Sequence, residues 1–111
     1  MKNINTGEIL ATNLEFATTF PARFKGLMGR RSFPEGTALV IKPCSAIHTF
    51  FMRFPIDVLF LNANLDVLAV IYNMSSCRFS QRVKGARMVV EFPGGTISKT
   101  NTMPGHRIII Q

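Results

Sequence analysis

The sequence has no tryptophan, a single tyrosine, and only six acidic residues against thirteen lysines and arginines, for a formal net charge of +7. It has no run approaching the ~20 apolar residues of a bilayer-spanning helix. It begins MKNINTGEILATN, one lysine followed mainly by polar residues, with no apolar stretch of signal-peptide length. A cytoplasmic location is the expectation from these two absences. Cys44 and Cys77 lack CxxC spacing, so two free thiols are expected. With His48 and His106 they form the only Cys₂His₂ set available. Cys44 and His48 have local ligand spacing, but Cys77 and His106 are isolated, and zinc fingers bring ligands in close pairs at both ends. No metal and no cofactor is therefore assigned. Also absent are a nucleophile motif, a glycine-rich phosphate loop and paired carboxylates. No repeat, linker or low-complexity tract divides the chain.

What is present is apolar. The 111 residues are 47% hydrophobic and include ten phenylalanines. A chain of this length forms one domain, residues 1–111, and buries roughly 60–70% of its unfolded surface, enough for one core without staples. The most apolar stretch is His48–Leu61, HTFFMRFPIDVLFL. Pro55 divides it and pushes Phe54 to extended geometry, so both halves read as strands or extended arms. In the second arm Ile56, Val58 and Phe60 share one face, opposite Asp57, Leu59 and Leu61. Both faces are mostly apolar, as in a strand covered on both sides or one in a closed barrel.

Asp57 is out of place there. A buried carboxylate has to be paired, hydrogen-bonded or protonated. It either accepts backbone N–H groups or ties down Arg53, or it fixes a tautomer of His48 as acid–base pairs do.

Three segments, RFKGLMGRRSFPEGTALVI (23–41), HTFFMRFPIDVLFL (48–61) and ARMVVEFPGGTISKTNTMPGHRIII (86–110), together resemble the family known as domain of unknown function 192, small and mostly uncharacterised bacterial and archaeal proteins. The GLM…R and PIDVLF segments carry most of the specificity. The family usually ends its last motif in Gly-Asp, where this chain has Gly105-His106, so no role of that aspartate transfers to His106. The resemblance implies a compact, mainly β fold with a short helix and no established activity.

Taken in order, Asn3–Thr12 reads as a hairpin turning at Gly7-Glu8. Phe16, Phe20, Phe24, Leu27 and Met28 form one helical stripe, capped by Thr18 or Thr19, with Pro21 in the first turn and Gly29 as the stop. That stripe is expected to pack the helix on a sheet. Ala38–Ile41 is a short buried strand. Asn62-Ala63-Asn64 turns the chain between the second arm and an antiparallel partner, Leu65–Met74. Ser75–Gly85 is a polar, basic loop, Ala86–Phe92 a strand with Glu91 near its end, Ile97–Asn101 a helical turn and His106–Gln111 a closing strand. The fold expected is α+β, mainly β: a small mixed sheet or partly closed β-barrel of about six to eight strands with one amphipathic helix packed on it.

The basic residues cluster at Arg23, Lys25, Arg30, Arg31 and at Arg78, Arg82, Lys84, Arg87. They favour acidic partners or anionic surfaces. No nucleic-acid motif accompanies them, so nucleic acid is disfavoured as a partner. The leading functional expectation is a binding or accessory module for an acidic small molecule, peptide or protein partner, with candidate ligand-binding residues His48, Arg53, Asp57, Arg78 and Arg82. A hydrolase or transferase using His48 and Asp57, and a nucleic-acid or anionic-surface binder using the basic clusters, are the alternatives.

Overall fold

The computed structural model describes residues 1–110. Five strands make one mixed sheet: β2 (Asn13–Ala17), β3 (Thr37–Ile41), β4 (Ile56–Leu61), β5 (Val67–Met74) and β6 (Met88–Pro93), in the order β2-β3-β6-β4-β5. A second, two-stranded sheet pairs β1 (Lys2–Asn3) with β7 (Ile108–Ile109). Two short helices complete the chain, α1 (Phe20–Lys25) and α2 (Thr96–Lys99). The sheet is open, with β2 and β5 at its edges, so of the two expected forms of the α+β, mainly β fold it is the mixed sheet that is found, and not the barrel.

The central strands read as the pattern predicts. All six residues of β4 are buried. Ile56, Val58 and Phe60 pack into one hydrophobic cluster, and Leu59 and Leu61 into another on the opposite face. β6 alternates likewise, with Val89 on the first face and Met88, Val90 and Phe92 on the second. The expected hairpin forms: β4 and β5 are antiparallel, and Oδ1 of Asn62 accepts the N–H groups of Asn64 and Asp66 at 2.9 Å each to close the turn.

Two expected elements around the candidate site take other forms. The helix is not a 13-residue stripe. Phe16 belongs to β2, where it pairs in parallel with Val40 of β3, and sheet pairing overrides the helical periodicity. The helix begins only after Thr19, whose hydroxyl accepts the Ala22 N–H at 3.3 Å. It ends at Gly26, whose φ of 48° and ψ of −123° only glycine adopts without strain. No residue within α1 is buried; Leu27, just after it, is fully buried instead. Phe16, Phe20 and Phe24 are exposed.

The first arm, His48–Phe54, is likewise not a strand. It folds into turns, Phe51 has a φ of 60°, and a single bridge joins His48 to Phe79. The Phe51 carbonyl accepts the Gly29 N–H at 2.9 Å, which draws this loop across the end of α1 and buries Met52 beneath it. Among the described residues no helix is long and apolar enough to cross a membrane.

Candidate functional site

The site is built on β6. This strand lies between β3 and β4, and Glu91 pairs with Leu39 on one side and Val58 on the other. Its alternation aims the Glu91 side chain at the face covered by α1. There the carboxyl is 1% exposed, and Oε1 has no hydrogen-bond partner among the described residues. Burial pushes its pKa up from 4.5 to about 8, against a weaker opposing pull from the Arg30 charge. At neutral pH the group is therefore mainly a carboxylic acid, with a proton to donate.

A cavity of about 200 Å³ opens above this carboxyl. Its apolar walls are Phe20, Phe24, Ile41, Ile47 and Met52. Its polar groups besides Glu91 are Arg23, Lys25, Cys44 and His48. Gly26 passes over Glu91 so closely that a Cβ there would stand 3.8 Å from Oε1. Arg23 arches over the Phe20 ring, 5.8 Å from its centroid, and donates through Nη1 to the Pro43 carbonyl at 3.1 Å. Its Nε is buried without a partner. Thus a cation and a protonated carboxyl, each with an unused hydrogen-bonding atom, share one small, mostly apolar cavity. Such atoms are costly to bury unless something meets them.

His48 is half-buried at the wall. Its Nε2–H donates to the Phe24 carbonyl at 2.9 Å, and its Nδ1 accepts the Phe50 N–H at 3.2 Å, so the ring is held by both nitrogens. Cys44 donates its thiol to the Ala46 carbonyl at 3.1 Å. Burial raises the thiol's pKa, which the backbone hydrogen bond only partly offsets, and this suppresses the thiolate a nucleophile needs. Cys44, His48 and Glu91 line the same cavity, yet among the described residues no three His, Cys, Asp or Glu side chains converge as metal ligands do.

The other sequence candidates lie elsewhere. Asp57 is on the opposite face of the sheet, fully buried, with its oxygens occupied by backbone. Oδ1 accepts the Asn73 N–H at 2.9 Å, and Oδ2 accepts those of Gly95 at 3.1 Å and Ile97 at 2.8 Å. It thereby caps α2, whose N-cap Gly95 has no side chain for the purpose. The expected contact between His48 and Asp57 is not made, because alternation in β4 sends the carboxylate to the face away from α1. Arg53 is exposed, and none of the Asp57 bonds reaches it. Arg78 and Arg82 are also exposed, on the Ser75–Gly85 loop. That loop runs along the Ser45–Thr49 segment: the Arg78 carbonyl accepts the Thr49 N–H at 2.9 Å, and the Val83 N–H donates to Ser45 at 2.9 Å.

Glu91 escapes notice in the sequence because it lies near the end of its strand. Like Asp57, it is a carboxylate in a strand apolar on both faces, two residues after Val89, and has to be buried.

The chain is 32% identical over 113 aligned positions to a UPF0127 protein of Pyrococcus furiosus, covering 97% of this chain and 95% of that one. It is 29% identical over 110 positions to a UPF0127 protein of Thermococcus sibiricus, covering 96% and 71% respectively. A crystal structure of a protein of unknown function from Novosphingobium aromaticivorans superposes with a TM-score of 0.80 at 19% identity, over 87% of this chain and 74% of that one; at that identity the likeness is one of fold. The family model for DUF192, described as uncharacterized ACR, matches residues 1–110, and the chain belongs to that family.

Proposed function

We propose that the protein is a binding module whose site is the cavity over Glu91, taking a small acidic molecule with an apolar body. The observation that carries this reading is the Glu91 carboxyl itself, buried at the cavity floor with an unmet Oε1. In its protonated form it does not repel an anion and donates a hydrogen bond to an acceptor. Arg23 and Lys25 supply positive charge to the same cavity, and the phenylalanine and isoleucine walls suit a short aliphatic or aromatic body. His48, held by two backbone bonds, offers its ring edge as a wall and keeps α1 in register with the loop below it.

The hydrolase or transferase reading needs His48 and Asp57 side by side, and they lie on different faces of the sheet. Cys44, the other conceivable nucleophile, is held towards the thiol form. Binding is therefore favoured over covalent chemistry.

The test is titration of isotope-labelled protein with benzoate and with butyrate, followed through backbone amide shifts. Saturable shifts at Gly26, Cys44, Ile47 and His48 are expected, weakened roughly tenfold by Arg23→Gln through loss of a charge-assisted hydrogen bond. The absence of any saturable shift with either carboxylate, together with a native mass equal to that of the bare chain, would overturn the reading.

A further inference from the structure

We propose that the end of the molecule bearing Phe20, Phe24, Phe51 and Phe79 docks on the surface of an anionic lipid bilayer. This surface shares Phe20, Phe24 and Lys25 with the rim of the Glu91 cavity, but its docking requires no particular occupant of that cavity.

The four side chains are not scattered. Phe24 packs on His48 with ring centroids 5.2 Å apart, His48 stacks on Phe50 at 5.4 Å, and Phe50 meets Phe79 edge-on at 4.7 Å. Phe51 adjoins the end of α1 through the Gly29 bond. Phe20, Phe51 and Phe79 are nonetheless 73%, 73% and 74% exposed. Contiguous exposed aromatics of this kind mark interaction surfaces.

The backbone holds Phe51 out. Phe51 sits at φ 60°, a conformation unfavourable for a bulky residue, and the Gly29 bond together with a Thr49–Met52 turn maintains it. A turn whose strain serves to project an apolar ring into water is explained if the ring has somewhere to go.

Charge indicates what that is. Residues 16–34, 36–56 and 67–90 contain no aspartate or glutamate, while Lys25, Arg53, Arg78 and Arg82 are all exposed. One residue of each basic cluster, Arg23 and Arg87, lines a shallow cleft beside Pro43 and Cys44. Aromatic rings interleaved with cations, and no exposed carboxylate in the same segments, are the composition of an interfacial membrane contact. Phe51 projects from a turn and Phe79 from the bridge to His48, and neither lines the cavity. Protruding rings suit a bilayer interface, which requires no matching shape, better than a folded partner, which does.

The experiment is co-sedimentation of the full chain with vesicles of phosphatidylcholine alone and of phosphatidylcholine mixed with phosphatidylserine. Binding to the mixed vesicles is expected, decreasing with salt, and weakened roughly tenfold by Phe51→Ser and by Phe79→Ser. Both side chains are exposed, so melting temperatures should be unchanged. Because the chain has no tryptophan, Phe51→Trp provides a clean reporter, and its emission should move to the blue on mixed vesicles only. Failure to sediment, binding that the phenylalanine substitutions leave unchanged, or an emission that does not move would each overturn the proposal, as would capture by RNA or an acidic peptide without capture by vesicles.

Discussion

Gly26 and Glu91 face each other across the backbone turn that ends α1, with 3.8 Å between the carboxyl Oε1 and the position a Cβ would take on the glycine. The chain closes over the acid only because residue 26 adopts φ 48°, ψ −123°. Gly26→Ala is expected to destabilise the fold by about 1–3 kcal/mol through backbone strain at its positive φ and to shift the turn that roofs the cavity. Urea unfolding measures the first effect, and loss of amide shifts on carboxylate titration the second. A variant as stable as the parent would mean that the turn relaxes freely.

Glu91 makes stability depend on pH in an unusual direction. The unfolded chain releases this proton near pH 4.5, whereas the folded one keeps it to about pH 8. Across that window the folded state binds more protons, so its stability falls as pH rises and levels off above about pH 8. Glu91→Gln removes this slope. The difference between the two proteins should grow in favour of the variant by on the order of 4–5 kcal/mol across the window. Arg23, Arg30, Cys44 and His48 are common to both proteins, so the comparison isolates the carboxyl. Parallel stability curves would show that the acid is ionised in the fold.

Asp57 tests the opposite case, a buried carboxylate whose partners are all in place. Replacing it with Asn turns one acceptor into a donor facing backbone N–H groups. A loss of roughly 2–4 kcal/mol is expected, with upfield movement of the Asn73, Gly95 and Ile97 amide protons in any folded fraction. A loss under about 1 kcal/mol would mean that the three bonds are weaker than their lengths suggest.

The two cysteines should react in order. Cys77 is exposed, while Cys44 is half-buried and its thiol is disfavoured from ionising. Iodoacetamide at neutral pH should label Cys77 alone in the native protein, and both after denaturation. Mass spectrometry of the peptides distinguishes the two, and early labelling of Cys44 would mean that the loop over the cavity opens readily.

What the sequence revealed followed from alternation. Strand β4, its two faces, its hairpin with β5 and the anomaly of Asp57 were legible because a period of two leaves little freedom in a strand buried on both sides. Phe16, Phe20 and Phe24 misled because their spacing of four fits a helix equally well whether the rings face a core or water. Nothing local distinguishes a stripe that packs from one that projects, and Phe16 was claimed by pairing with a strand more than twenty residues away in the sequence. His48 lies at the wall of the cavity, and the carboxyl that shares that cavity comes from β6 rather than β4. That juxtaposition depends on strand order, which periodicity does not encode.

Strand order has one more consequence, for the nascent chain. β6 is the last strand of the large sheet to leave the ribosome, yet it occupies the middle. Until Met88–Pro93 has emerged, β2 and β3 form one fragment and β4 and β5 another, each with an open apolar edge and no contact along the seam. Synthesis of those six residues welds the two fragments together and, in the same event, inserts Glu91 beneath the α1 turn. Assembly of the cavity and completion of the five-stranded sheet thus depend on the same late strand, and a chain that stalls before it presents two adhesive edges to its neighbours.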